Sequence, residues 1–261
     1  MMFVVGPMKT GTSFLYSAIN KNPHWAFPKN SKETLFFDQN YDLGFNWYLS
    51  QYNVSRETLN SEGCEFAPSY FHSSDAIKRI HSSFPQAKIV IILRDPVARA
   101  YSHYMHLRRY GMVSSELESL DKNHEIFEGS RYRFWINEWR SHFGDESVLL
   151  VSYNDVVRSV ADVVDAICKF NGTRKAPIST VDLDLNTGVV PKFFGISRIA
   201  NSVAHWLRRH RMTWIIELGR LIGLREVFFG GGRYEPMTLP QKLYIQSRLG
   251  ADQSIDHDRW S

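Results

Sequence analysis

A lysine inside a glycine-bounded loop, Gly6-Pro7-Met8-Lys9-Thr10-Gly11-Thr12-Ser13, is where this 261-residue chain most directly implies chemistry. The apolar run Met2–Val5 precedes it, and Phe14, Leu15, Ala18 and Ile19 recur after it at helical spacing, so the loop joins a strand to a helix. Backbone N–H groups at the start of that helix, aligned with its dipole, form an anion site. Gly6 and Gly11 copy the frame G-x-x-x-x-G-K-[ST] of nucleoside-triphosphate loops, but Thr12 stands where that frame has its lysine, and Lys9 lies inside the loop. No strand ends in an obvious Mg²⁺-holding aspartate, since Leu93 is followed by Arg94 before Asp95. The loop therefore suits an anhydride handled without metal. Arg94 follows the run Ile89–Leu93, and Ser102 lies eight residues further on. An arginine fork at a strand's C-terminal end and a hydroxyl two turns into the next helix can converge on one phosphate.

Several elements must position these groups. Helical periodicity runs over Asp75–Phe84, with Ser74 or Asp75 as N-cap, and Pro85 stops it. Ile89–Leu93 reads as a strand buried on both faces. Pro96 opens a helix continuing as Val97–Tyr110, and Gly111 ends it. Tyr132–Phe143 is a further helix, Val148–Val151 a further buried strand, and Val156–Phe170 a helix closed by Asn171-Gly172. Strands and helices alternate, which predicts an α/β fold: one domain over residues 1–261 with a central parallel sheet flanked by helices and a P-loop-like nucleotide site. Residues 173–200 read as a long connecting or lid segment, and His205–Leu224 as an amphipathic helix that packs on the core or, alternatively, serves a membrane surface or a partner.

Composition fits a globular enzyme. The chain is 43% hydrophobic and 22% charged, which supplies a core and excludes disorder. Lys plus Arg exceeds Asp plus Glu by 31 − 27 = 4, compatible with an anionic ligand and well short of a nucleic-acid-binding tail. Cys64 and Cys168 stand 104 positions apart, outside any metal-ligand spacing, so reduced thiols and no metal are expected. No apolar run approaches the roughly 20 residues of a membrane span, and no secretory signal opens the sequence, so a cytoplasmic protein is expected.

Pro7–Ser13 resembles the 5′-phosphosulfate loop of sulfotransferases that use 3′-phosphoadenosine-5′-phosphosulfate (PAPS). Arg94-Asp95-Pro96 with Arg99-Ala100-Tyr101-Ser102 resembles that family's 3′-phosphate segment. Lys32-Glu33, Phe36-Phe37-Asp38, Tyr41, Gly44 and Trp47-Tyr48 resemble the glycosaminoglycan branch, which includes heparan sulfate N- and 3-O-sulfotransferases. Gly232-Arg233 with Tyr234 and Pro236 resembles the late loop that closes over the nucleotide. Two departures stand out: there is no cysteine after Cys168, and Phe66 follows Glu65 where the heparan enzymes place a lysine. With no anchor visible, a soluble bacterial or viral relative is expected.

The resemblance implies transfer of a sulfuryl group from PAPS to a hydroxyl or amine of a glycan or glycolipid acceptor, with adenosine 3′,5′-bisphosphate (PAP) as product. It implies that Lys9, Thr10, Gly11, Thr12 and Ser13 hold the 5′-phosphosulfate and that Arg94 and Ser102 hold the 3′-phosphate, while Gly232, Arg233 and Tyr234 clamp the nucleotide. Lys9 stabilises the leaving oxygen, Glu33 is the general base with Lys32 keeping it ionised, and His106 is an auxiliary acid/base or acceptor contact. Arg99 either reaches the same phosphate or braces its helix. Alternative readings are a diverged P-loop kinase, which would need Mg²⁺ and ATP, a small-molecule or lipid sulfotransferase, and a binding module that keeps the pocket without turnover.

Overall fold

The computed structural model describes residues 1–122, 124–174, 176, 189–190, 231–233 and 235–252, with backbone alone for 189–190 and 231–233. Four strands, β1 (Met2–Val4), β2 (Cys64–Phe66), β3 (Lys88–Leu93) and β4 (Val148–Ser152), form an all-parallel sheet in the order β2-β1-β3-β4. The helices are α1 (Thr12–Ile19), α2 (Phe45–Ser50), α3 (Arg56–Glu62), α4 (Ser74–Ser83), α5 (Pro96–Arg109), α6 (Glu125–Glu128), α7 (Tyr132–Phe143), α8 (Tyr153–Arg158), α9 (Val160–Asn171) and α10 (Leu239–Leu249).

Alternation along the strands builds a core on each side of the sheet. Phe3, Ile89 and Ile91 pack with Ile77 and Ile80 of α4 and Ile136 and Trp139 of α7. Met2, Val4, Val90 and Ile92 pack on the other face with Leu15 and Ile19 of α1 and Val164 and Ile167 of α9. A third cluster joins Val97, Ala100, Tyr104 and Leu107 of α5 to Ile126, Phe127, Ile245 and Leu249 of α6 and α10. That cluster fixes the rotation of α5, so Arg99, Ser102 and His106 share another face of the helix.

Strand order decides where a ligand goes. The chain leaves β1 for β2 on one side, then returns past β1 to β3 and β4 on the other, so the direction of winding switches between β1 and β3. In open parallel sheets the crevice beyond the strand ends at such a point is the binding site. Here it is flanked by the Lys9 loop after β1 and by Arg94 after β3.

The expected α/β parallel sheet is present, with three local corrections. The N-cap of α4 is Ser73, whose hydroxyl accepts the Ala76 N–H at 3.2 Å, and not Ser74 or Asp75. The segment read as one helix, Val156–Phe170, is two: α8 ends at Arg158, and Ser159 starts α9 by accepting a hydrogen bond from the Asp162 N–H. β2 was not expected at all; three residues carrying a glutamate show no strand periodicity. Of the segment 173–200 only residues 173, 174, 176, 189 and 190 are described, and His205–Leu224 lies outside the described residues. Among the described residues no helix is long and apolar enough to cross a membrane.

Candidate functional site

Close packing shapes the loop. A Cβ on Gly6 would lie 2.5 Å from the Ile92 backbone nitrogen, so only glycine lets the chain leave β1 this tightly against β3. The Thr10 hydroxyl donates to the Pro7 carbonyl at 2.7 Å and closes the turn. Gly11 (φ 89°) is the N-cap of α1 and supplies no side-chain cap, and the first turn holds no acidic residue. The leading N–H groups of α1 are thus left to a ligand.

Behind the loop lies Arg99, fully buried. Its guanidinium donates to the Met8 carbonyl (3.2 Å), to the Ser130 hydroxyl (2.6 Å) and to the Ile126 carbonyl, and Ser130 donates in turn to Pro96. Burial lowers the Arg99 pKa to about 10. Of its two sequence-level roles, the contacts show the brace: Arg99 ties the loop to α5 and α6. His103 stands beside it, fully buried, with Nδ1 3.4 Å from Arg99 Nη1.

Two lysines belong to the loop's surroundings, Lys9 within it and Lys32 against its hydroxyls. Burial, then the charges of Arg94 and Arg109, lower the Lys9 pKa to about 8. Lys32 Nζ lies 3.2 Å from the Thr12 hydroxyl, 3.2 Å from the Ser13 hydroxyl and 3.2 Å from Glu33 Oε1. Burial lowers the Lys32 pKa although the Glu33 carboxylate opposes that shift. Lys32 therefore touches the loop across twenty residues, beyond its expected role of holding Glu33 ionised. Nearby, burial raises the Asp38 carboxyl pKa, the Ser69 hydroxyl opposes this, and the Glu33 charge adds to it.

On the far side, Arg94 Nη1 donates to the Lys9 carbonyl at 3.1 Å, and its guanidinium lies 4.7 Å from the centre of the Tyr153 ring. That ring also backs Gly11, where a Cβ would approach it to 3.1 Å. Tyr132 donates to the Arg94 carbonyl at 3.0 Å, fixing the end of β3. Ser102 and His106, four residues apart on α5, are both half-buried. His106 packs against Tyr110 at 4.7 Å; burial, then Lys9 and Arg109, lower its pKa to about 3, so the imidazole is neutral at physiological pH.

Lys9, Thr10, Gly11, Thr12, Ser13, Lys32, Glu33 and Arg94 are thus gathered by direct contact or loop geometry, and His106 joins them through Lys9. Gly232 and Arg233 lie on a strand, Gly231–Arg233, antiparallel to Val189–Val190; Tyr234 lies outside the described residues. Phe66, the departure from the heparan pattern, is fully buried and packs on Tyr16 at 5.3 Å and Phe27 at 6.4 Å. It is a core residue here and carries no information about an acceptor.

The family model "Sulfotransferase domain" matches residues 1–184. The human bifunctional heparan sulfate N-deacetylase/N-sulfotransferase 3 is 33% identical over 191 residues, covering 65% of this chain and 22% of that protein. Bifunctional heparan sulfate N-deacetylase/N-sulfotransferase 1 of Caenorhabditis elegans is 29% identical over 197 residues, covering 69% of this chain and 23% of that protein. The chain spans less than a quarter of the length of these relatives. Among solved structures, the sulfotransferase from Alicyclobacillus acidocaldarius superposes with a TM-score of 0.59 at 25% identity, over 72% of this chain and 85% of that one. A P-loop-like parallel sheet, a lysine-bearing loop at its switch point and a family match over more than half the chain lead to one conclusion: this chain belongs to the sulfotransferase domain family.

Proposed function

We propose that the chain moves a sulfuryl group from PAPS to a hydroxyl or amine of a glycan, with Glu33 as general base and Lys9 stabilising the leaving oxygen. The observation that carries this reading is the ammonium of Lys32, which joins the loop hydroxyls of Thr12 and Ser13 to the Glu33 carboxylate within 3.2 Å contacts. A base is thereby held at the mouth of an anion cradle, where an acceptor must lose its proton. The glycan class is carried over from the relatives, which are named for heparan sulfate.

PAPS supplies a sulfuryl group on a good leaving phosphate, and the residues present fit it. The uncapped start of α1, with no acid in its first turn, suits the 5′-phosphosulfate, and Arg94 suits the 3′-phosphate together with Ser102. Lys9 and Lys32 flank the position where charge grows as the S–O bond breaks, so both interactions strengthen toward the transition state. Glu33 takes the acceptor proton. Neutral His106 offers the acceptor a hydrogen bond at the Lys9 side. Arg233 and Tyr234 complete the nucleotide clamp.

Glu33→Gln tests the base. The amide keeps the shape but cannot take the proton, so turnover of an alcohol acceptor should fall by about 10²- to 10⁴-fold. PAP affinity, measured by calorimetry, should stay within about twofold because Glu33 is not a nucleotide ligand. Near-native turnover would move the base elsewhere, with His106 next.

A further inference from the structure

The base lies on a segment without regular structure. Between Lys32 and Asn40 no helix or strand supplies hydrogen bonds, and Leu35 is held at φ 52°, a left-handed value rare for leucine. Something outside the segment must hold it.

A buried carboxylate anchors its N–H groups, while Arg79 Nη1 donates to the Phe37 carbonyl at 2.8 Å. Glu65, with no exposed surface, receives the Thr34 N–H (3.0 Å), the Thr34 hydroxyl (2.5 Å) and the Tyr70 hydroxyl (3.1 Å) on Oε1, and the Tyr48 hydroxyl (3.0 Å) on Oε2. Two of these hydroxyls pass the connection on. Phe36 N–H donates to the Thr34 hydroxyl at 3.2 Å, and Phe37 N–H donates to the Tyr70 hydroxyl at 3.2 Å. The N–H groups of residues 34, 36 and 37 therefore end on Glu65 directly or through one hydroxyl. All four donors point at the carboxylate, the arrangement an acceptor-only, ionised group requires. Burial is the larger influence and raises the Glu65 carboxyl pKa, while the four donors oppose that shift.

Glu65 has its own fixed frame. It stands on β2 opposite Phe3 of β1, the strand that runs into the Lys9 loop. The carboxylate thus refers the Lys32–Thr34 segment to the same sheet that sets the phosphate cradle. We propose that Glu65 is a positioning residue for the transfer reaction, holding Lys32 and Glu33 in register with Thr12 and Ser13 through Thr34. This rests on the sulfotransferase reading above and adds the group that aligns its base with its cradle.

The test separates alignment from folding. Glu65→Ala should lower kcat by about 10²-fold, the cost of a misplacement near 1 Å. PAP affinity should stay within about twofold, since the cradle keeps its own braces. Glu65→Gln retains an oxygen for Thr34 and should recover most of the turnover. Tyr48→Phe removes the donor to Oε2, away from Thr34; it should lower the melting temperature and leave kcat within about twofold. If Glu65→Ala fails to fold, Thr34→Val carries the same test with an expected loss of about tenfold.

Double-mutant cycles decide between roles. Glu65→Ala should add little to Glu33→Gln or to Lys32→Ala, because an aligned group cannot be misaligned once it is gone. Additive losses, a parallel fall in PAP affinity, or Glu65→Gln no better than Glu65→Ala would overturn the proposal. Turnover of Glu33→Gln alone judges the base; were it near native, the Lys32 cycle would still judge Glu65.

Discussion

The molecule builds a strand, a short loop and a helix twice at its switch point, and finishes the two helices differently. At α5 the Asp95 carboxylate accepts the Ala98 N–H at 2.7 Å, and Pro96 occupies the first turn, so that helix start is closed by its own chain. At α1 the N-cap is Gly11, with no side-chain cap. Of two equivalent helix starts side by side, only the one beside Lys9 is left for an anion to complete. On the function proposed above, the difference lets one sheet hold a ligand with two phosphate groups: one end would be received by backbone and dipole, the other by side chains, Arg94 and Ser102.

Breaking the open end should have the largest effect. Lys9→Ala should lower turnover by at least about 10²- to 10³-fold, as for loss of one transition-state donor, and weaken PAP as well. The same lysine gives a pH signature. Its pKa is lowered to about 8 by burial and by neighbouring cations, and a bound polyanion favours the charged form. Binding should therefore take up protons near and above that value, about three-quarters of a proton at pH 8.5, and almost none below pH 7. Calorimetry in two buffers of different ionisation enthalpy measures this; uptake that persists in Lys9→Ala would assign the proton to another group.

Arg94→Ala tests the side-chain end. Loss of a charge-assisted contact worth about 1.5–3 kcal/mol should weaken PAP roughly 10- to 150-fold. AMP, which lacks the 3′-phosphate, should bind about as before. A matching loss for AMP would mean that the arginine acts only through its bond to the Lys9 carbonyl. Smallest is the closed cap: Asp95→Ala should cost about 0.5–2 kcal/mol in denaturant unfolding and leave kcat unchanged. A fall in kcat without a fall in stability would show that the cap serves the site after all.

Legibility in the sequence follows the same division. Both strand–loop–helix units could be read, because apolar runs of four and five residues meet Gly, Pro and Arg at sharp boundaries, and the helix Tyr132–Phe143 appears with the bounds its periodicity gave. The break at Ser159 was missed because Val156, Val160, Val163 and Val164 keep helical spacing across it; Ser159 followed by Asp162 is a capping signature that could have revealed it. β2 was illegible because parallel pairing with β1, not local pattern, makes Cys64-Glu65-Phe66 a strand. The site divides likewise. Loop residues announce themselves locally, whereas the reach of Lys32 to Thr12 and the burial of Phe66 depend on how distant segments pack. Family resemblance supplied Glu33; no spacing would have.

Lys9 sits at φ 75°, in the left-handed region that costs an L-residue about 1–2 kcal/mol and glycine almost nothing. The chain keeps there a half-buried cation whose charge burial and the neighbouring Arg94 and Arg109 disfavour. Both preferences run against folding. A search for heat-resistant variants scored only by melting temperature would therefore be drawn to glycine at position 9, and would select a sturdier protein with the charge gone from its cradle.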